Sequence, residues 1–183
     1  MARRGTVAAK AGALLTGLFV LTSALATGSA TLGVGAPAPA LSEPTDRGRF
    51  DSATSGRPYL VEFFAVWCPH CQREVPVVNA IEKTDGARID VIAVPASPFG
   101  YDKSSMLSAT DLATFAQRFG VTYRIGFDGF FGSAYDYGVA TFPTFYLVGA
   151  DRRVAAVETG EAPFERLQAD IDAVLNAQAK EKL

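Results

Sequence analysis

Residues 57–66, Arg-Pro-Tyr-Leu-Val-Glu-Phe-Phe-Ala-Val, form an almost continuous apolar run rich in aromatic and β-branched side chains, with Glu62 as its one internal charge. A run of this length and composition reads as a strand buried on both faces, the situation of a parallel sheet lying between helices. The residues that follow fit that frame. Pro69 opens a helical stretch with Val75, Val78 and Ile81 on one side, and Pro76 is expected to kink it because proline lacks the amide hydrogen and crowds the preceding turn. Residues 88–94 read as a second strand and 95–108 as a surface loop. A helix over 111–119 follows, ended by Gly120. A short strand at 123–127 and a short helix at 131–137 come next. Two paired strands at 145–148 and 153–158 then turn at 149–151, before an amphipathic helix over 162–178. Alternating strands and helices ending in a hairpin and a helix give an α/β layer pattern.

The chain has two cysteines, Cys68 and Cys71, placed where the buried strand ends and the first helix begins. A bridge between them closes only a tiny loop, so it adds little chain-entropy stabilisation and does not read as a structural staple. A zinc site needs more ligands than the pair offers, and the single histidine, His70, lies between the two, so no metal is expected. The unpaired amides and positive end of a helix favour a thiolate at the first cysteine, and the thiolate is the attacking species in exchange. Cys68 is therefore expected near the exposed helix end as nucleophile. Cys71, one turn inward, is expected to resolve the mixed disulfide. Thiolates also bind copper(I), so a copper carrier is a weaker alternative.

Glu62 stands alone in a strand built for burial, where a carboxylate costs several kcal/mol unless paired or protonated. It is a candidate for a functional role, against the alternative of a solvated strand edge. His70, if protonated, would stabilise a neighbouring thiolate and make the disulfide more oxidising. The aromatics Phe127, Phe130, Phe131, Tyr135 and Tyr137 read chiefly as core packing, with an exposed rim for substrates as the alternative.

The start of the chain reads as an address. Arg3, Arg4 and Lys10 precede an uncharged apolar stretch, and small residues at Ala24-Leu25-Ala26 or Gly28-Ser29-Ala30 suit cleavage. Residues 1–30 are expected to be a secretory signal peptide, with an uncleaved membrane anchor as the competing reading. Either one places the remainder outside the cytoplasmic membrane, where cysteine pairs can be oxidised. Residues 31–56 read as an extended N-terminal segment or linker, and 57–178 as one domain. The net charge of −2, with no basic stripe, argues against a nucleic-acid partner. No feature advertises a dimer interface, so a monomer is expected.

The run Val61-Glu-Phe-Phe-Ala-Val-Trp-Cys-Pro-His-Cys-Gln-Arg-Glu-Val-Pro76 resembles the active-site segment of thioredoxin-fold proteins. Glu74-Val-Pro76, Val34-Gly-Ala-Pro-Ala-Pro39, Phe119-Gly-Val-Thr-Tyr123 and Tyr137-Gly-Val139 are similar to the TlpA/ResA-like extracytoplasmic branch, over about residues 33–178. The resemblance implies a thioredoxin fold, a central mixed β-sheet flanked by helices on both faces, with a redox-active dithiol and no cofactor. Trp67, Pro69 and His70 are the motif residues around it, and Pro69-His70 is also the dipeptide of DsbA-like oxidases. Thr141-Phe-Pro-Thr-Phe145 matches the family's cis-proline segment. Pro143 is thus expected to follow a cis bond after Phe142 and to leave backbone groups near Cys68 for a substrate strand. Phe142 is larger than the residue the family often has there. Glu62 matches the family's buried acid, which implies that it moves protons to or from Cys71 during resolution. The implied function is an extracytoplasmic thiol–disulfide oxidoreductase acting as reductant or exchange enzyme, with a disulfide-forming oxidase as the alternative. Its implied partners are exported proteins with thiols or disulfides and a redox partner that recycles the dithiol.

Overall fold

The apolar run becomes the central strand of a five-stranded sheet in a computed structural model that describes residues 32–127 and 129–181. In chain order the elements are β1 (Ser42–Thr45), β2 (Gly48–Asp51), α1 (Ser52–Ser55), β3 (Tyr59–Phe64), α2 (Pro69–Asp85) and β4 (Asp90–Pro95). They continue with α3 (Ala109–Phe119), β5 (Arg124–Ile125), α4 (Gly132–Asp136), β6 (Thr144–Val148), β7 (Val154–Thr159) and α5 (Phe164–Glu181). The main sheet has the order β5-β4-β3-β6-β7. β3 runs parallel to β4, with Glu62 opposite Ala93, and antiparallel to β6, with Glu62 opposite Phe145. The sheet is therefore mixed, and all six β3 residues are buried.

The two-residue period of β3 divides the core. Leu60 and Phe64 face one layer with Val75, Val78 and Ile81 of α2, Phe115 of α3, and Leu167 and Ile171 of α5. Tyr59, Val61 and Phe63 face the other with Leu41, Phe50, Ala134, Tyr137 and Tyr146. Full burial of an aliphatic or aromatic side chain of this size is worth roughly 1.5–3 kcal/mol, so these layers carry most of the stability. The second layer also buries tyrosine hydroxyls, and each finds a partner. The Tyr59 and Tyr137 hydroxyls are 2.7 Å apart, Tyr137 donates to the Pro39 carbonyl at 3.1 Å, and Tyr146 donates to the Tyr137 carbonyl at 2.7 Å.

Several elements differ from the sequence reading. Residues 32–56, read as part of an extended segment or linker, carry more structure than that. They hold the antiparallel β1–β2 hairpin and α1, and they bury Leu41 and Phe50 in the second layer. The segment before the hairpin is tied to the start of β7, with Gly35 N–H donating to the Val154 carbonyl and Ala38 N–H to that of Arg152. The hairpin itself bridges to the opposite edge through Thr45 and Gly126. α3 begins at Ala109, two residues early, because Ser108 and Asp111 form a reciprocal capping box. β5 has only two residues, and α2 continues through Pro76. The expected leader at 1–30 lies outside the described residues. Among the described residues, no helix is long and apolar enough to cross a membrane.

Candidate active site

β3 delivers the chain to a turn at which Cys68 becomes the N-cap of α2, and Pro69 takes the first helical position, where its missing N–H costs nothing. Cys68 N–H donates to the Ala65 carbonyl at 3.0 Å, and the Gln72 side-chain amide donates to the Val66 carbonyl at 2.9 Å, which fixes the turn. Cys71 is fully buried beneath, its thiol in hydrogen-bond contact with that of Cys68. Both cysteines are free thiols.

Cys68 is less open than the sequence suggested, with 5% of its surface exposed. Part of its cover comes from far along the chain. The Phe142 carbonyl oxygen lies 3.8 Å from Cys68 Sγ, and the Phe142–Pro143 peptide bond is cis. The Phe142 ring stands edge-on to Trp67, with centroids 6.0 Å apart. Trp67 is held in turn by Nε1 donating to Ser97 Oγ at 3.0 Å and by the Lys103 ammonium 4.9 Å over its ring. Of the aromatic group, Tyr137 is in the core and Phe127 and Phe131 are partly buried against it, whereas Phe130 and Tyr135 are exposed.

Glu62 is buried rather than at a solvated edge. Burial, and after it the charge of Glu74, push its carboxyl up to about 8, partly opposed by the Tyr123 hydroxyl, which donates to it at 3.5 Å. Burial, followed by the charge of Glu62, drives the Cys71 thiol far above its ordinary range. An ionised Glu62 therefore favours the protonated form of Cys71.

Two residues that the sequence reading did not assign to the site belong to its surroundings. Glu74 is buried, accepts the Ala162 N–H at 3.1 Å through Oε1, and is raised to about 7 chiefly by burial. Its signal was present, because it lies three residues after Cys71 on the inner face of α2 shared with Val75 and Val78. Glu161 lies in the loop between β7 and α5. His70, an exposed side chain, has Nδ1 2.5 Å from Glu161 Oε1, and Arg73 Nε donates to the same oxygen at 3.0 Å. These contacts, Arg73 foremost, hold the Glu161 carboxyl below its ordinary range. The fold thus brings Cys68, Cys71, Glu62, Trp67, Phe142 and Pro143 around one helix terminus and places His70 on its rim. Among the described residues, no cluster of three or more His, Cys, Asp or Glu side chains is placed to hold a metal ion.

Residues 33–175 match the model of the Redoxin family. Over 122 residues the chain is 26% identical to the thiol-disulfide oxidoreductase ResA of Geobacillus thermodenitrificans, covering 65% of this chain and 64% of that protein. Over 111 residues it is 34% identical to the thiol:disulfide interchange protein CycY of Rhizobium leguminosarum bv. viciae, covering 60% of this chain and 54% of that one. The chain thus spans less than two thirds of the length of these curated relatives. A crystal structure from Chlorobium tepidum, assigned provisionally as the thiol:disulfide interchange protein DsbE, superposes with a TM-score of 0.68 at 25% identity, covering 79% of this chain and 99% of that one.

Proposed function

The chain belongs to the Redoxin family, and from that premise we propose that it is an extracytoplasmic thiol–disulfide oxidoreductase that exchanges disulfides with exported proteins, acting as a reductant or exchange enzyme. The observation that carries the reading is the placement of Cys68 at the terminus of α2, 3.8 Å from the Phe142 carbonyl, with Cys71 and Glu62 buried behind it. The extracytoplasmic setting is supported by the leader-like pattern of residues 1–30.

In the proposed reaction the Cys68 thiolate attacks one sulfur of a substrate disulfide. A mixed disulfide forms, and the other substrate sulfur leaves as a thiolate that takes a proton from water. In the minority of molecules whose Glu62 is ionised at neutral pH, Cys71 then gives its proton to that carboxylate and attacks Cys68 Sγ. The Cys68–Cys71 disulfide forms and the second substrate thiolate departs, so the substrate gains the two electrons that the dithiol loses. A carboxyl held near 8 by burial carries its proton in most molecules at neutral pH. It is thus suited to return the proton to Cys71 when a redox partner reduces the pair again. Phe142 and Pro143 are assigned the role of presenting backbone to the substrate strand, and Trp67 of walling the site.

A second reading, a disulfide-forming oxidase, is favoured by His70 and Arg73, two side chains capable of positive charge beside Cys68. Substituting Cys71→Ser tests the exchange chemistry. The variant is expected to accumulate mixed disulfides with exported proteins on non-reducing gels, and Cys68→Ser to accumulate none. Loss of bound copper from both variants, with no mixed disulfides, would replace exchange by copper carriage. The reduction potential decides direction, since a value near −270 mV marks a reductant and one near −120 mV an oxidase, both approximate scale points.

A further inference from the structure

The loop joining β7 to α5 reaches the Cys68 end of α2 twice. By its side chain, Glu161 binds His70 and Arg73. By its backbone, the next residue, Ala162, donates to the buried carboxylate of Glu74. Arg73 Nη2 also lies 2.8 Å from His70 Nδ1 and donates to Glu161, so the three side chains form one cluster. The cluster is a partly exposed surface feature, with side-chain exposures of 60% for His70, 55% for Arg73 and 40% for Glu161. It borders the dithiol, because His70 lies between the two cysteines in the first turn of α2 and Arg73 lies two residues after Cys71 on the same helix.

A cation beside Cys68 stabilises its thiolate, hence the reduced pair, and makes the disulfide more oxidising. His70 and Arg73 are the cation-forming groups on the exposed turn of α2. Lys103 approaches from the loop over Trp67, and Glu62 faces Cys71 from within, itself under the charge of the buried Glu74. Glu161 is the carboxylate that engages both His70 and Arg73 from outside α2.

We propose that Glu161 is a positioning residue that draws His70 and Arg73 toward the β7–α5 loop and offsets their charge at Cys68, holding the Cys68–Cys71 couple more reducing than its Pro69-His70 core would set it. This rests on the dithiol reading above. It assigns the direction of electron flow in part to a residue outside the cysteine motif.

The test is equilibration of the full chain and its variants with glutathione, following disulfide + 2 GSH ⇌ dithiol + GSSG. Glu161→Gln is expected to shift this equilibrium toward the dithiol roughly threefold to tenfold, about 15–30 mV for two electrons. The shift is expected to shrink in molar salt, as befits exposed charges. Glu161→Asp should stay nearer the native value. In a His70→Asn, Arg73→Met background the Glu161→Gln shift should vanish, because the cycle isolates the coupling. A Glu161→Gln variant at the native potential, or one shifted equally with and without His70 and Arg73, would overturn the proposal. A native chain with no measurable couple would overturn the dithiol reading itself, and this proposal with it.

Discussion

Cys68 Sγ and the carbonyl oxygen of Phe142 lie 3.8 Å apart, although 74 residues separate them in the chain. The contact exists because β3 and β6 are antiparallel neighbours, so the end of one strand and the start of the other meet at the same margin of the sheet. The reactive helix terminus and the backbone proposed to receive a substrate are thus held by a single strand pairing.

Phe142 also packs edge-on against Trp67, the chain's one tryptophan. Phe142→Ala is expected to cost about 1–2 kcal/mol, from the lost ring contact and the half-buried surface. Urea denaturation of the reduced protein measures the loss. A red shift of the Trp67 emission should accompany it, and unchanged emission would show that the ring contact does not shape the site.

Glu62 makes stability fall as pH rises. Its carboxyl titrates near 4.5 when unfolded and near 8 when folded. Between those values the folded state holds a proton that the unfolded state has lost, and stability declines by up to 1.4 kcal/mol per pH unit. Below about pH 4 the penalty is absent, and above about 8 it is complete, at roughly 4–5 kcal/mol. Glu62→Gln is expected to be several kcal/mol more stable than the native chain at pH 8.5 and close to it at pH 4. Denaturation at both pH values decides this. Parallel pH profiles for the two proteins would show that Glu62 is not the titrating group.

Glu74→Gln keeps an oxygen for the Ala162 N–H and removes the like charge that helps to raise Glu62. The Glu62 titration, followed by carboxyl carbon NMR, is expected to move down from about 8. It should remain above the ordinary 4.5, since burial is the larger cause. No movement would separate the two acids electrically.

A β-carbon at Gly126 would meet Glu43 Cβ at 2.6 Å and Ile92 Cδ1 at 3.2 Å. Gly126→Ala is therefore expected to push the β1–β2 hairpin away from β5 and cost about 1–3 kcal/mol, read as a lower urea midpoint. An unchanged midpoint would mean that the hairpin shifts freely.

What could be read in the sequence was local. The strand under Glu62, the helix start at Pro69 and the spacing of Cys68 and Cys71 follow from side-chain pattern within a few residues. Glu74 was within reach by the same three-residue step from Cys71 and needed only the recognition that the inner face of α2 holds an acid. Glu161 was not, because its contact with His70 spans 91 residues and joins a loop to a helix. The approach of the Phe142–Pro143 segment to Cys68 came only through the family resemblance, and how little of Cys68 it leaves exposed depends on packing across 74 residues of chain. The hairpin at Ser42–Thr45 and Gly48–Asp51 has strands too short for an alternation to declare itself, and its stability comes from Leu41 and Phe50 docking on a sheet formed later in the chain.

The segment ahead of β3 fastens to both margins of the main sheet. Gly35 and Ala38 bond the turn leading into β7, and Phe127 N–H, beyond β5, bonds the Pro44 carbonyl. Between these anchors the segment lies over Tyr59, Val61 and Phe63. It works as a clasp, and a clasp opens as one piece. The amides of Gly35, Ala38 and Phe127 are therefore expected to exchange as a single cooperative unit, whose opening would bare an aromatic face of the molecule and leave the strand pairing beneath Cys68 in place.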